Sequence, residues 1–196
     1  TVNYLSYKAQ LGVLDADELE AVGRRLRHQP FDAQMLKGLR YLVEGINAYA
    51  PLPRQTDILM DLFNGIRNDL EDRSTLAKRY TYYLQGLLLA GQGHFPDAYT
   101  YLNDALALYN SVETGLHIVS LLATHGQYQQ ALAMLDRTAD ILEKEPDRTR
   151  LRSRPAYKEE IARLRVVLLN DITHKGYKYH KRDGALSPIP LEVPSK

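Results

Sequence analysis

The chain has no cysteine and no tryptophan, and only three phenylalanines among its 196 residues. Without cysteine there is no disulfide framework, no thiolate metal site and no cysteine nucleophile, and the compartment stays open. An excess of one charge is lacking too: 25 Lys and Arg against 24 Asp and Glu leave a net charge of +1. That balance gives no global case for nucleic acid or an anionic membrane surface, and no nucleic-acid partner is expected. No apolar run approaches the roughly 20 residues needed to cross a bilayer, and no signal peptide is visible.

Chemistry-bearing patterns are equally sparse. The six histidines (His28, His94, His117, His125, His174 and His180) include no His-x-x-x-His pair. Glu113 with His117, His94 with Asp97, and Asp171 with His174 are isolated pairs, whereas a metal ion needs three or four ligands. Gly-rich phosphate loops and nucleophile elbows are missing. The acidic group Asp15, Asp17, Glu18 and Glu20 falls in a first helical turn, where the macrodipole favours carboxylates. No catalytic residue, metal or cofactor is assigned, and the chain is expected not to be an enzyme.

Leucine and alanine, by contrast, are plentiful, tyrosine occurs 14 times, and the apolar residues recur at helical spacing. Asp15-x-x-Glu18 has the form of a capping box opening a helix to about Arg27, with Leu19, Val22 and Leu26 on one face. Asp32 can cap a second helix carrying Leu36, Leu39, Val43 and Ile46, which Pro51-Leu52-Pro53 ends. Ile58, Leu62 and Ile66 mark a third, and Ser74 is a candidate cap for a fourth. After the charged stretch Glu143–Arg154, Pro155 starts a last helix with Tyr157, Ile161, Leu164 and Leu168 on one face. Its other face carries Lys158, Glu159, Arg163 and Arg165, which suits the capping element of a helical stack. From Gly176 the composition shifts to Lys, Tyr, His and Pro, which predicts an extended tail with no core of its own.

The middle of the chain holds two near-copies. Tyr82, Gln85, Gly86, Leu89, Gly93-His94-Phe95-Pro96-Asp97-Ala98, Leu102 and Ala105 form the first. Gly115, Ile118, Val119, Leu122, Gly126-Gln127-Tyr128-Gln129-Gln130-Ala131, Leu135 and Thr138 repeat it 33 residues later. Gly93 and Gly126 stand where a helix end needs φ > 0, and Ala98 and Ala131 where two helices approach closely. This pattern resembles the tetratricopeptide (TPR) repeat, with copies at about 79–111 and 112–146. It departs from the family where Gly115 replaces the large aromatic, Val119 the small residue and Asn110 the closing proline.

The resemblance implies an all-α fold, with antiparallel helical hairpins stacked as a short TPR-like solenoid, a capping C-terminal helix and an extended tail. Residues 1–175 are read as a single helical domain, and 176–196 as a flexible or extended tail. Within the domain, 1–50 is a divergent hairpin, 55–72 a linking helix, 75–146 the two repeats and 155–175 the terminal helix. At least six helices and no sheet are expected. Tyr82, Gly86, Gly93, Ala98, Ala105, Gly126 and Ala131 are structural repeat positions.

TPR membership implies non-catalytic binding of a protein partner. The first helix of each hairpin would line the groove, exposing Arg79, Tyr80 and Tyr83 from one repeat and Glu113, His117 and Ser120 from the next. Two tyrosines and an arginine on one face suit an extended peptide, with a glycan as the second ligand class. Lys175, Tyr177, Lys178, Tyr179, Lys181 and Arg182 make a basic, aromatic tail segment as a second candidate contact. Two alternatives stand beside this reading. One is a soluble extramembrane region of a larger bacterial cell-envelope protein that polymerises or transfers glycans, suggested by the missing initiator Met and the short divergent array. The other is a helical enzyme whose site assembles only in three dimensions. The sequence leaves open the compartment, whether cytoplasm or periplasm.

Overall fold

The computed structural model describes residues 1–29, 31–69, 75–144, 154–175, 177–182 and 185–190. The fold is all-α: the described residues form nine helices, followed by one short two-stranded ribbon. They divide into two compact units, Thr1–Asn110 and Ser111–Lys196, where the sequence suggests one domain.

The first unit holds α1 (Val2–Gln10), α2 (Ala16–Leu26), α3 (Ala33–Ala48), α4 (Pro53–Asp69), α5 (Thr75–Gly91) and α6 (Phe95–Leu108). Asp15 caps α2 by accepting from the Asp17 and Glu18 amides, and Asp32 caps α3 by accepting from Met35. The expected hairpin of α2 with α3 is replaced by another pairing: α3 packs on α1 and α5, while α2 packs on α4. The reason is α1, which the sequence reading passes over. Its apolar stripe of Val2, Leu5 and Ala9 lies against small residues of α3. A Cβ at Gly45 would fall 2.8 Å from the Ala9 carbonyl carbon, and one at Gly38 would fall 2.4 Å from Val2. The buried Ser6 hydroxyl lies 2.7 Å from the Gly38 carbonyl and 2.8 Å from that of Val2, and its single proton is shared between them. Helix α4 packs on both α2 and α5 and buries Leu59, Leu62, Phe63 and Ile66.

Helices α5 and α6 form a tight antiparallel hairpin. Gly93 has φ +82°, its amide donates to Ala90 O, and the His94 amide donates to Leu89 O, which closes α5 in a Schellman turn. Ala98, Leu102 and Ala105 are fully covered, and a Cβ at Gly86 would lie 2.6 Å from Leu102.

The second unit holds α7 (Val112–Thr124), α8 (Tyr128–Lys144) and α9 (Arg154–Lys175), then β1 (Tyr177–Arg182) and β2 (Ala185–Pro190). Ser111 caps α7, and the turn into α8 is a second Schellman motif: Gly126 has φ +75°, with Gly126 N–H to Ala123 O and Gln127 N–H to Leu122 O. Gly115 takes the position of Tyr82 one repeat on, and Thr138 that of Ala105; a Cβ at Gly115 would meet the Thr138 hydroxyl at 2.3 Å. Bulk lost on one helix is thus regained on the other.

Helix α9 packs on α8, burying Ile161 and Leu168. Glu143 near the end of α8 pairs with both Arg154 and Lys158, and Arg165 pairs with Asp136. The outer face of α9 is less polar than the sequence suggests, because Val166, Val167 and Leu169 are exposed. The expected absence of sheet fails at one place: β1 and β2 pair antiparallel with Tyr177 opposite Pro190 and Arg182 opposite Ala185.

Candidate functional site

Of the six candidate groove residues, three stand on α5 in the first unit. The sequence reading takes all three as exposed, yet Arg79 is 8 % exposed and Tyr83 4 %. Tyr80 is half-buried. The cause lies in spacing: Arg79, Tyr83 and Gly86 share one face of α5, and that face carries the contact with α6. Tyrosines pack around this part of α5. The Arg79 guanidinium sits 4.3 Å from the Tyr80 ring centroid and 4.1 Å from that of Tyr109, just beyond the end of α6. Tyr82 lies 6.0 Å from Tyr101 of α6, with Arg67 of α4 4.5 Å from its ring on the packing side.

Arg67 belongs to a network that sequence reasoning missed. Its Nη1 donates to Gln85 Oε1 at 2.7 Å, and its Nη2 to Asn64 Oδ1 at 2.6 Å. Gln85 Nε2 completes the ring by donating to Asn64 Oδ1 at 2.9 Å. Gln85 is fully buried, and each of its amide ends is satisfied, so the network joins α4 to α5 without an orphaned group. The signal in the sequence was a glutamine standing inside the apolar stripe of α5.

The remaining three candidates stand on α7 in the second unit. Glu113 and His117 are half-buried, and Ser120 is exposed. Positions 113, 117 and 120 are four and three apart and so share one helix face. His125 at the end of α7 has its Nδ1 2.9 Å from Leu121 O, a helix-end contact rather than a ligand set. Among the described residues, no three of His, Cys, Asp or Glu stand close enough together to hold a metal ion. Of the basic tail, Lys175 closes α9, while Tyr177, Lys178, Tyr179, Lys181 and Arg182 run along β1.

Electrostatic perturbation is confined to surface ion pairs. Glu18 is held below the usual carboxylate range by its bond from Lys8, Glu20 by Arg24, Glu143 by Lys158 and Glu160 by Arg163. These groups are spread over α2, α8 and α9 and do not converge on one site, though Glu20 lines a cleft. That cleft, of about 210 Å³, lies between α2 and α4, with Gly23, Ile58 and Leu62 as floor and Glu20, Arg24, Arg27 and Asp61 as rim. No helix among the described residues is long and apolar enough to cross a membrane. No family model, no curated protein and no solved structure matches this chain.

Proposed function

We propose that this chain is a non-catalytic, TPR-like module that binds a protein partner. The observation that supports the reading is a shared local design in α5–α6 and α7–α8. Each hairpin turns through a positive-φ glycine and places a fully covered alanine, Ala98 or Ala131, one turn into the following helix. These positions recur at one offset of 33 residues, one short of the family's period of about 34. Perturbed carboxylates sit in ion pairs between neighbouring surface residues and do not converge on one another, which also favours binding over chemistry.

Within this reading the contact residues narrow to those whose side chains reach solvent: Tyr80 on α5, and Glu113, His117 and Ser120 on α7. Tyr83 drops to a packing role because it is buried. Half-buried aromatic and imidazole rings make good anchors, since they are already partly ordered and lose little freedom on contact. The test is affinity capture from the native source with the wild type and with Tyr80→Ala/His117→Ala. A stoichiometric partner that the double variant loses, with the helical circular dichroism kept, is the expected result. An unchanged set of partners would remove these faces as the binding surface.

A further inference from the structure

The first and last helices among the described residues, α1 and α9, are each apolar on two faces. On α1 the stripe Val2, Leu5 and Ala9 is buried against α3. Tyr4, Tyr7 and Leu11 each follow a member of that stripe by two residues, and at about 100° per residue they fall on the opposite side of the helix. All three are exposed, Tyr7 to 62 %. Lys8 Nζ lies 5.5 Å from the centre of the Tyr4 ring and pairs with Glu18 of α2, so that ring is held in place before any contact is made. On α9, Ile161 and Leu168 pack on α8, whereas Ala162, Val166 and Leu169 run along another face and stay exposed, Val166 to 69 %. A helix with two apolar faces ordinarily has neighbours on both, and an exposed apolar run of this kind marks a contact surface.

We infer that these two faces pair between copies of the chain: α9 of one copy docks antiparallel on α1 of another. The fit lies in spacing, size and charge. Each stripe runs seven residues from first to last, about 10 Å of helix. The steps are three then four along α1, and four then three along α9. Reversed direction therefore brings Tyr4 level with Leu169, Tyr7 with Val166 and Leu11 with Ala162. Both rings of α1 then meet branched aliphatic side chains, and Leu11 meets a small one, so bulk on one helix faces room on the other. Each stripe is bordered by an ion pair closed within its own unit, Lys8 with Glu18 and Arg163 with Glu160, so neither face brings an unbalanced charge to the contact. The faces are unlike, and every copy carries one of each, which makes the contact heterologous. Two stripes of this length cover less than the roughly 1,200 Å² of a standard interface, so the association is weak and needs high protein concentration. The contact uses neither α5 nor α7 and stands apart from the partner-binding reading.

The experiment is sedimentation velocity of the full chain between about 10 µM and about 1 mM, the range in which a contact of this size shows itself. The average sedimentation coefficient of the wild type is expected to rise across that range. Tyr7→Glu and Val166→Glu should each stay monomeric throughout. An equimolar mixture of the two should form a one-to-one dimer and nothing larger, because each variant keeps the face the other lacks. Both positions are exposed, so helical circular dichroism should be unchanged. Tyr7→Ser and Val166→Ser, which add no charge, should give the same pattern in weaker form and stand in if a Glu variant unfolds. A wild type that stays monomeric at the highest concentration refutes the contact, and so does a mixture no more associated than its components. Association of Tyr7→Glu by itself would mean that α9 faces pair with each other, and association of Val166→Glu by itself would mean the same of α1. Either result overturns the pairing of unlike faces.

Discussion

Glycine serves two unrelated purposes in this chain, and substitution separates them. At Gly45 the backbone of α1 occupies the space a side chain would need, because the added Cβ would lie 2.8 Å from the carbonyl carbon of Ala9. Backbone cannot swing aside as a side-chain tip can. Gly45→Ala is therefore expected to lower stability by about 1–3 kcal/mol through overpacking of the α1–α3 contact. At Gly93 nothing lies within 4 Å of the added atom, but φ is +82°. Gly93→Ala is expected to lose about 1–2 kcal/mol from the left-handed conformation alone. Asparagine separates the two cases further: Gly93→Asn should recover part of the loss, whereas Gly45→Asn should be worse than Gly45→Ala. Urea denaturation of the four variants checks this, and a Gly45→Asn variant as stable as Gly45→Ala would contradict the close approach.

Helices α6 and α8 carry fully covered alanines at equivalent places one turn from their starts, Ala98 and Ala131. Leucine at either place must be housed in a packed crossing, so Ala98→Leu and Ala131→Leu should each lose roughly 1–3 kcal/mol in thermal or chemical unfolding. Two neutral results would show that these alanines do not set the helix approach. The hairpins carrying them were legible in the sequence because local chemistry alone defines them: a glycine able to take positive φ, then a small residue one turn later. The capped starts of α2 and α3 were legible for the same reason, through Asp15 and Asp32. Which helix each of these packs on was not, since α3 chooses α1 over α2 by close contact at Gly38 and Gly45, and a flat small-residue face carries no hydrophobic signal. The stripe of α1 was itself readable as Val2, Leu5 and Ala9, with Gly12 at φ +69° as its terminator. The pairing of β1 with β2 was also foreshadowed, because just two residues, Asp183 and Gly184, separate the strands, and Asp-Gly is the favoured dipeptide of two-residue hairpins. For the candidate face, periodicity correctly grouped Arg79 with Tyr83. It could not say that Tyr109 of the next helix end would close over the arginine.

Across the whole molecule, opposite charges nearly cancel, and that balance holds only while the carboxylates are ionised. Each of Glu18, Glu20, Glu143 and Glu160 is held below the ordinary carboxylate range by a neighbouring Lys or Arg. A carboxyl depressed in the folded state contributes stability that is fully present above its unfolded value. That contribution is lost as pH falls through the lower folded value. Lys8 is raised by Glu18, so its side of the pair persists through neutral pH and fades only in strong alkali. The melting temperature should therefore be level on the acid side of neutrality and fall once pH drops below the ordinary glutamate range. Two causes then act together: the ion pairs are protonated away, and 25 Lys and Arg with six His stand against few remaining carboxylates. Apart from the half-buried Lys8–Glu18 pair, the paired groups are solvent-exposed, so their contribution at neutral pH is small and sensitive to salt. Salt screens the acid-side self-repulsion as well, so raising sodium chloride from low to about 0.5 M should reduce the acid loss while slightly lowering the neutral plateau. Glu143→Gln removes the partner of both Arg154 and Lys158, and it should lower the plateau while leaving the acid limb nearly in place. Melting curves by circular dichroism across pH, at two salt concentrations, measure all three effects. A melting temperature that rises as pH falls below the glutamate range, or an acid limb indifferent to salt, would show that these carboxylates do not carry the acid response.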